Sequence, residues 1–446
     1  MQLIVAGDLL FSSRNLKETI DPKLVELLQS ADAVVANAEF VTPKKDTPPA
    51  AGRGYVTAVR AETLDEFTDL NMKYLSFANN HTGDFGITGM LDTLAAARSR
   101  GLHPLGLGES LFDARKPQFI DTRDGRIAII TVAVTRSEVF AASDAGNGVP
   151  ARPGVNPLRW DRSYVLPKSA FDALAEIDHK LGTRASTEQG SRVETWSGPD
   201  DSAFKFGSLW QEHVSIELGD DYAVRTKANE QDQADILADI ADAKNRADYV
   251  FVNFHAHEGL NEDWYADEPA AFIEKFAKSA IDYGADAVIG HGAHFLKGIA
   301  LHQGKPIFYN IHSLVMEFES GESIIPPEMY EAYGYPANSK PSTLHANRAK
   351  DKAGNWQGFN AEDRFSQSVL ISFDLNADQE TFDYHLIPID LQLTHDRPSK
   401  RGRPKLADPE TVTAIQERVS QISQVDGVAL IEADGVLKVR QTPLSN

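Results

Sequence analysis

Short apolar segments of strand type, each followed at once by polar side chains, recur five times along the chain and limit the folds it can adopt. The first, residues 2–6, leads into Asp8, and the second, residues 33–36, leads into Asn37 and Glu39. A carboxylate in an apolar setting is costly to bury without a partner, so Asp8 is a candidate metal ligand or acid/base group. The alternative is that it caps the next helix. Because the segments alternate with helical ones, we expect an α/β fold whose strand ends collect these side chains.

The third segment, residues 74–77, precedes Asn79, Asn80 and His81. An amide oxygen can ligate a metal, and an imidazole can protonate a leaving group or orient a substrate oxygen. Asp84 follows, and we expect it to cap the next helix. Capping does not account for the two amides and the imidazole, so these three are candidate site residues.

The fourth segment, residues 248–254, ends in His255 and His257. On an extended chain these two imidazoles point to the same side and can reach one site. Glu258 is then directed away from that site or supports the ligands from a second layer.

The fifth segment, residues 287–289, ends at Gly290 and is followed by His291 and His294. Glycine lets the backbone approach a ligand, and neutral imidazole is a common donor to zinc, iron, nickel or manganese. The alternative is a pair of surface histidines in a turn. Five strand ends that all carry Asp, Glu, Asn or His favour one shared functional site.

The charge balance, 44 basic against 65 acidic residues and a net charge of −21, argues against nucleic acid or an anionic membrane as the main partner. A small anionic substrate is compatible with it, because a site can be locally positive. The chain has no cysteine, which excludes disulfides, thiolate metal sites and a Cys nucleophile. No apolar run approaches the roughly 20 residues of a membrane span. The first residues enter a strand without a basic leader, so we expect a cytoplasmic protein.

Three long regions complete the predicted organisation, a single domain that spans all 446 residues. Residues 140–228 are interpreted as an insertion that covers the site, and 184–228 within it as polar and irregular. There Arg152 is expected to meet an anionic or amide-bearing substrate; the alternative is an ordinary surface loop. Residues 317–365 form a second cover or a partner surface. Residues 366–446 supply strands and a helix that complete the domain.

Taken in order, the polar segments resemble those of the CapA-type family of capsule and poly-γ-glutamate biosynthesis, part of the calcineurin-like metallophosphoesterase superfamily. The matching stretches are Gly7-Asp8, Asn37-Ala38-Glu39, Asn79-Asn80-His81 with Asp84 and Gly86, His255, Gly290-His291-Gly292-Ala293-His294, Lys305-Pro306-Ile307-Phe308-Tyr309 and Arg401-Gly402-Arg403-Pro404. The likeness covers most of the chain and is weaker in residues 160–228 and 317–365.

The resemblance implies a four-layer α/β/β/α sandwich of the metallophosphoesterase type, with large insertions and a site where the strand ends converge. Superfamily members bind two metals. The implied ligands are Asp8 and His294 for one metal, Asn80, His255 and His291 for the other, and Glu39 between them, with His81 as general acid. A bridging water then becomes hydroxide near neutral pH and attacks phosphorus or a carbonyl carbon.

The chain departs from these relatives at three positions. Superfamily phosphoesterases usually carry Asp-x-His at the first strand, where this chain has Leu10 in place of the histidine. The family's His-Trp-Gly turn here ends in His257, an extra imidazole, and His312 stands where the family has a glycine. One relative, a lasso-peptide epimerase, uses this fold without metal to shuttle a proton at an α-carbon, so the fold alone does not determine the chemistry.

Three functions follow as hypotheses. The first is a metal-dependent hydrolase of a phosphoester or a γ-glutamyl-type amide, with one or two manganese, zinc or iron ions. The second is a metal-independent isomerase or epimerase in which Asp8 and one histidine are the acid/base pair. The third is a non-catalytic accessory protein of anionic polymer (capsule) synthesis. The candidate residues are His81, His257 and Asp8 for catalysis, Asp8, Glu39, Asn80, His255, His291 and His294 for metal, and Asn79, Arg152, Tyr309 and His312 for a small-molecule or peptide-like substrate.

Overall fold

The structure, a computed structural model, describes residues 1–194, 198–207, 213–318, 321–377 and 381–442. The strands are β1 (Gln2–Leu10), β2 (Ala33–Ala38), β3 (Tyr74–Ser76), β4 (His103–Leu105), β5 (Leu107–Gly108), β6 (Gln118–Thr122), β7 (Gly125–Ala133), β8 (Gly154–Val155), β9 (Trp160–Pro167), β10 (Ala203–Phe206), β11 (Val214–Gly219), β12 (Ala223–Ala228), β13 (Tyr249–Ala256), β14 (Ala287–Gly292), β15 (Ile299–His302), β16 (Lys305–Phe308), β17 (Ser313–Met316), β18 (Gln367–Asn376), β19 (Thr381–Asp390), β20 (Lys405–Leu406), β21 (Val428–Ala433) and β22 (Val436–Gln441). The helices are α1 (Leu16–Thr19), α2 (Pro22–Ser30), α3 (Asp65–Asp69), α4 (Gly86–Arg98), α5 (Leu111–Arg115), α6 (Ser137–Phe140), α7 (Lys168–Leu181), α8 (Arg184–Val193), α9 (Glu230–Lys244), α10 (Ala271–Asp282), α11 (Pro327–Ala332), α12 (Pro341–Ala349) and α13 (Pro409–Ile422).

Two large sheets form the centre of the molecule. One has the strand order β21-β22-β19-β18-β1-β2-β3-β4, with β17 also paired to β1 and β20 to β19. The other has the order β15-β16-β14-β13-β7-β6. The neighbours β1, β2, β3 and β4 are parallel, as are β7, β13, β14 and β16. Each sheet therefore brings the carboxyl ends of several strands to one edge, where α/β proteins bind ligands.

The two sheets pack face to face, and helices cover their outer faces. Along β1, Val5 faces the other sheet whereas Ile4 faces the helices, and along β13 the same alternation separates Phe251 from Val252. The ring of Phe251 lies 4.8 Å from that of Phe373 in β18, centroid to centroid. Period-two alternation of apolar residues on both sides is what a strand buried on two faces requires. The predicted four-layer α/β/β/α sandwich is confirmed.

Strand register places the predicted polar groups side by side. In the β1–β2 pair Asp8 lies opposite Asn37, and in the β13–β14 pair His255 lies opposite His291. The first strand does not end at residue 6, as the sequence suggested, because its last residues pair with β17 and extend it to Leu10. Strand β14 likewise continues past Gly290 and includes His291.

The prediction that residues 184–228 are irregular is wrong for much of that region. It forms α8 and strands β10, β11 and β12, and these strands join β9 in a sheet of order β10-β11-β9-β12. Phe171, Phe204 and Ile216 give this sheet a small apolar core of its own. The strands were hard to recognise because they are short and only half buried, so their apolar period is weak.

The last part of the chain adds its strands to the sheet that contains β1, with β18, β19, β22 and β21 in succession. Helix α13 packs against the core between the sheets through Val412, Ile415 and Val419. The division into one domain with two covers stays a prediction, and residues 195–197, 208–212, 319–320, 378–380 and 443–446 of those regions lie outside the described residues.

Within the described ranges, none of the helices combines the length and the apolar character that crossing a bilayer requires.

Candidate metal centre

Two groups of side chains with metal-ligand chemistry lie where the strand ends of both sheets meet. The first is Asp8, His255 and His291, and the second is Glu39, His257 and His294; in each, the potential ligand atoms lie within 4.8 Å of one another and all the residues are buried. Asp8 lies in β1 and Glu39 directly follows β2. His255 and His291 lie at the carboxyl ends of β13 and β14, and His257 and His294 follow those strands. The sequence alone predicted this convergence from parallel strand ends.

The first group is organised around the carboxylate of Asp8. Its Oδ1 lies 3.0 Å from His291 Nδ1 and 3.5 Å from His255 Nδ1. Asn37 Nδ2 donates to Oδ1 at 2.8 Å, and the backbone N–H of Gly292 donates to Oδ2 at 2.9 Å. Burial alone would raise the pKa of Asp8, but hydrogen bonds from the surrounding histidines hold it well below its usual range. Asp8 is thus a fixed anionic centre for a cation.

Glu39 is the central member of the second group. Its Oε1 lies 3.7 Å from the Nε2 atoms of both His255 and His294, and 3.9 Å from His81 Nε2. Both of its carboxylate oxygens are buried, and neither has a hydrogen-bond partner among the described residues. Burial, reinforced by the negative charges of Asp8 and Asp84, raises the pKa of Glu39 well above its ordinary value. A buried carboxylate without a partner is strongly unfavourable, and a bound cation would remove that cost.

Two of the imidazoles, His255 and His257, are held in the neutral form that ligates metals. Burial lowers the pKa of His255 to about 4, although the Asp8 carboxylate opposes that shift. Burial also holds the pKa of His257 well below its usual value. The Nε2 atoms of His257 and His291 are buried without a hydrogen-bond partner among the described residues. Neutral rings with an open nitrogen are the donors that divalent transition metals require, so the residues present fit a metal.

Asn80 completes this donor set. Its Oδ1 lies 2.8 Å from His255 Nε2, which places an amide oxygen beside the imidazole with which the resemblance groups it. Leu10, at the position of the superfamily's histidine, lines the cavity above the centre instead of supplying a nitrogen.

The turn that carries His291 and His294 requires unusual backbone. His294 has φ 60 and Gly292 has φ 115. A Cβ on Gly290 would lie 2.2 Å from the carbonyl oxygen of Tyr309. A non-glycine residue held in the left-handed region is strained, and such strain concentrates at functional sites. In this structure the strained residue is His294, one of the candidate metal ligands.

The prediction that Asp84 caps the next helix is wrong. Phe85 occupies the N-cap position of α4, and no side chain bonds there. Asp84 Oδ2 instead lies 2.7 Å from His81 Nδ1, and its Oδ1 accepts from Arg53 Nε at 2.8 Å. The carboxylate is drawn to these two cationic or protonatable partners because all three groups are buried together. It therefore orients His81 so that Nε2 faces Glu39.

The four residues predicted to bind substrate do not line the cavity at the centre. Asn79 donates to the carbonyl of Ala38 at 2.9 Å and so braces the turn between the strands. The hydroxyl of Tyr309 is buried in the core between sheet and helices, and burial raises its pKa. His312 donates from Nε2 to a backbone carbonyl at 2.8 Å. Arg152 donates from Nε to a backbone carbonyl at 3.0 Å.

A cavity of about 270 Å³ opens onto the centre. Its wall includes predicted site residues, among them Glu39, Asn80 and His81. It also includes residues that sequence reasoning missed, namely Arg53, Tyr55, Arg136, Trp264, Tyr265, Phe318, Arg348 and Phe359. Most of these come from loops, where no periodicity marks the side chains that face a site. The indication in the sequence was that residues 317–365, which include Phe318, Arg348 and Phe359, were expected to form a second cover or a partner surface.

Comparison with known proteins gives the following matches. The model of the family described as bacterial capsule synthesis protein PGA_cap matches residues 2–316. Uncharacterized protein y4sH of Sinorhizobium fredii (strain NBRC 101917 / NGR234) is 28% identical over 449 residues, which cover 98% of this chain and 92% of that protein. The PGA biosynthesis protein CapA of Bacillus subtilis (strain 168) is 22% identical over 321 residues, covering 70% of this chain and 62% of that protein. Among solved structures, a novel phosphatase from Mycoplasma pneumoniae aligns with 93% of this chain and 96% of its own, at 10% identity and a TM-score of 0.40.

Proposed function

Because the chain belongs to the bacterial capsule synthesis protein PGA_cap family, we propose that it is a metal-dependent hydrolase that cleaves a phosphoester or a γ-glutamyl-type amide. The observation that carries this proposal is the carboxylate of Glu39. It is fully buried, has no hydrogen-bond partner among the described residues, and faces the nitrogens of three imidazoles at 3.7 to 3.9 Å. Such a group is stable only if a cation binds to it or a proton neutralises it.

The residues that would hold one or two divalent ions are those of the two groups, Asp8, His255 and His291 with Glu39, His257 and His294, together with Asn80. Nitrogen and oxygen donors of this kind suit manganese, zinc or iron. When bound, such an ion supplies Lewis acidity toward water and toward the reacting phosphoryl or carbonyl group.

We assign to His81 the role of protonating the leaving group. Its Nδ1 is held by Asp84 at 2.7 Å, so the ring cannot turn and Nε2 is presented to the cavity beside Glu39. Arg53 donates to Asp84 at 2.8 Å and to the backbone carbonyl of Asn80 at 2.7 Å. It thereby connects the Asp84 carboxylate, which holds His81, to the candidate metal ligand Asn80. A proton donated from Nε2 would reach the departing oxygen or nitrogen.

A second candidate function is a metal-independent isomerase or epimerase. One observation favours it: His81, oriented by a carboxylate, and His257, kept neutral by burial, both line the same cavity. An acid and a base on one cavity suffice to move a proton at an activated carbon. Exchange of a substrate α-proton with deuterium that persists in the presence of a chelator would select this function.

The first test is the metal content of protein purified without a chelator or a histidine tag, measured by plasma mass spectrometry. We expect about one or two equivalents of manganese, zinc or iron. In titrations of stripped protein, Glu39→Gln and His291→Ala should weaken binding at least about ten-fold. The matched control is His302→Ala, because this imidazole bonds Asp282 away from the centre.

The second test is hydrolysis. Metal-loaded protein should cleave members of a panel of phosphoesters or of γ-glutamyl amides, lose that activity with a chelator and regain it with the metal. Folded protein that takes up none of the three metals and hydrolyses neither class would rule the proposal out.

A further inference from the structure

The three arginines on the wall of the cavity at the centre differ in the contacts that their guanidinium groups make within the protein. Arg53 is bonded to Asp84 and to the carbonyl of Asn80. Arg348 lies over the rings of Tyr55 and Phe318, each at 4.8 Å. Arg136 is exposed.

The guanidinium of Arg136 has no ion pair or hydrogen bond with any residue that the structure describes. A cation that lines a site and has no internal partner is available to a ligand.

Arg136 is also held in a strained conformation. Its φ is 55, in the left-handed region, where a side chain costs about 1–2 kcal/mol relative to ordinary backbone. The strain is imposed from both sides, because the preceding residue, Thr135, bonds to the N–H of His257 through its hydroxyl at 2.8 Å, and the next turn begins α6. Glycine would fit this position without strain. An arginine kept there despite the cost points to a use for its side chain.

Arg136 lies between two cavities. A second cavity, of about 510 Å³, lies between the core and the sheet formed by β9 to β12, with Trp160 and Arg162 on its wall. Arg136 and Trp264 line both this cavity and the one at the centre, whereas none of the candidate metal ligands lines the second cavity. A molecule whose reacting group lies at the centre can therefore extend past Arg136 and Trp264 into the second cavity.

The charges in the second cavity limit where an anion can lie. Glu262 is paired with Arg162 at 2.7 Å, and Glu258 accepts from Thr135 at 2.8 Å. The carboxylates of Glu138 and Asp161 remain on the wall. They repel an anion that enters deeply, so Arg136, at the border between the cavities, is the favourable place for it.

We infer that the substrate is an elongated molecule that carries an anionic group apart from its reacting group, and that Arg136 binds this anion at the border of the two cavities. The inference rests on the proposed function, because it takes the reacting group to bind at the metal centre. Trp264, whose ring lies 4.9 Å from that of His257, packs against the part of the substrate between the reacting group and this anion. Arg136 is then a specificity-determining residue and not a catalytic one.

The test measures binding of two kinds of probe to metal-loaded protein by calorimetry. Methylphosphonate carries one anion and resembles the tetrahedral geometry at either reacting group. The ω-carboxyalkylphosphonates with two to eight methylenes carry a second anion at increasing distance. We expect at least one of these to bind about ten-fold or more tightly than methylphosphonate.

Variants identify the residue responsible. In Arg136→Ala and Arg136→Gly the ratio of the two affinities should fall to about one, and Arg136→Lys should keep part of the preference. Arg136→Gly guards against a folding artefact, because its backbone conformation suits glycine. The matched control is Arg126→Ala, an exposed arginine at the opposite end of β7, which should keep the full ratio.

The outcomes are distinguishable. Methylphosphonate binding without any gain from a second anion, or a gain that persists in Arg136→Ala, overturns the inference and leaves the proposed function standing. If metal-loaded protein binds none of the phosphonates, the centre does not receive such a reacting group, and both the inference and the proposed function fail.

Discussion

His312 is buried in a backbone conformation that glycine adopts most readily, with φ 69. Its carbonyl accepts from the N–H of Asp8 at 3.1 Å, and its imidazole donates to the carbonyl of Phe365 at 2.8 Å. A glycine would adopt this left-handed geometry without steric cost. In this chain the imidazole is kept at the cost of strain, and it ties the strand that carries Asp8 to a distant segment.

Alanine variants are usually more stable than glycine variants, and replacement of His312 should reverse this order of stability. Both His312→Ala and His312→Gly lose the imidazole and its hydrogen bond, but only glycine relieves the left-handed strain. We expect the glycine variant to be more stable than the alanine variant by roughly 1 kcal/mol. Urea unfolding of the two variants measures the difference, and an alanine variant of equal or greater stability would contradict it.

Lys297 is a buried cation whose ammonium has no hydrogen-bond partner among the described residues. Burial lowers its pKa to about 8, and nearby carboxylates oppose the shift. Those carboxylates are Glu258, Asp267, Asp263 and Glu268. Because the pKa of an unfolded lysine is about 10.4, the unfolded chain binds more protons between pH 8 and that value. The contribution of Lys297 to stability is therefore unfavourable below pH 8 and improves as the pH rises through this window.

Lys297→Met should accordingly stabilise the protein at pH 7, by up to about 3 kcal/mol. The advantage over the unmodified protein should shrink between pH 8 and 10, where the native lysine loses its proton. Urea unfolding at pH 7 and pH 10 tests this, with the exposed Lys17→Met as control. A difference in unfolding free energy between Lys297→Met and the unmodified protein that does not change with pH would show that the buried charge of Lys297 is not its cause.

At the residue scale, side chains at or just beyond the carboxyl end of a strand were predictable because the end of a strand determines where they point. Asp8, Glu39, His255 and His291 all belong to this kind, and the structure brings them together. Asp84 was misjudged, because a capping pattern in sequence does not reveal a buried imidazole nearby. Loop residues that line the cavity escaped prediction altogether, since no period relates them to the strands.

Among the elements, β1 is the one on which the centre depends most. Gly7 lies where this strand meets the backbone of His312, and a Cβ on Gly7 would lie 1.7 Å from the carbonyl oxygen of that residue. The same carbonyl accepts from the N–H of Asp8. A side chain at Gly7 would therefore push apart the two strands whose contact positions the Asp8 carboxylate.

Gly7→Ala should destabilise the protein by about 1–3 kcal/mol or more, as overpacking against rigid backbone does. It should also lower metal affinity, because Asp8 moves with the strand. Gly146→Ala is the control, since a Cβ there has no atom within 4 Å. Thermal unfolding and metal titration of both variants check the two effects, and a Gly7→Ala protein with unchanged stability and metal binding would contradict the geometry.

At the scale of the whole molecule, the centre joins the two sheets. Asp8 and Glu39 belong to one sheet and its adjoining turn, and His255 and His291 belong to the other. A ligand that holds all of them opposes separation of the layers. It therefore stabilises the complete fold and not a local segment alone.

Addition of the bound metal to stripped protein should raise the free energy of unfolding by about 2.7 kcal/mol when free metal is 100 times its dissociation constant. The increase should be lost in Asp8→Asn and kept in His302→Ala. Denaturant unfolding with and without metal measures it. An increase that survives in Asp8→Asn would place the ion elsewhere.

The alternation of strand and helix segments predicted an α/β fold, whereas the four-layer arrangement was expected only from the resemblance to the family. The small sheet of β9 to β12 was not predicted, because its strands are short and half exposed, and one of its pairings joins β9 to β11 across two helices. The wall of the second cavity includes residues of this sheet, whereas the wall of the cavity at the centre consists largely of loop residues. These are the parts of the chain with the weakest sequence pattern.

The neighbours of β1 have a consequence for the order of synthesis. Its residue Gln2 pairs with Asp374 of β18 on one side, and Asp8 also lies opposite Ser313 of β17. At ordinary translation speeds the ribosome needs roughly 15–75 s to reach these late partners after β1 has been made. During that interval the nascent chain carries an apolar strand with an open edge, and the centre cannot be assembled before His294, the last residue of its two groups, has left the ribosome.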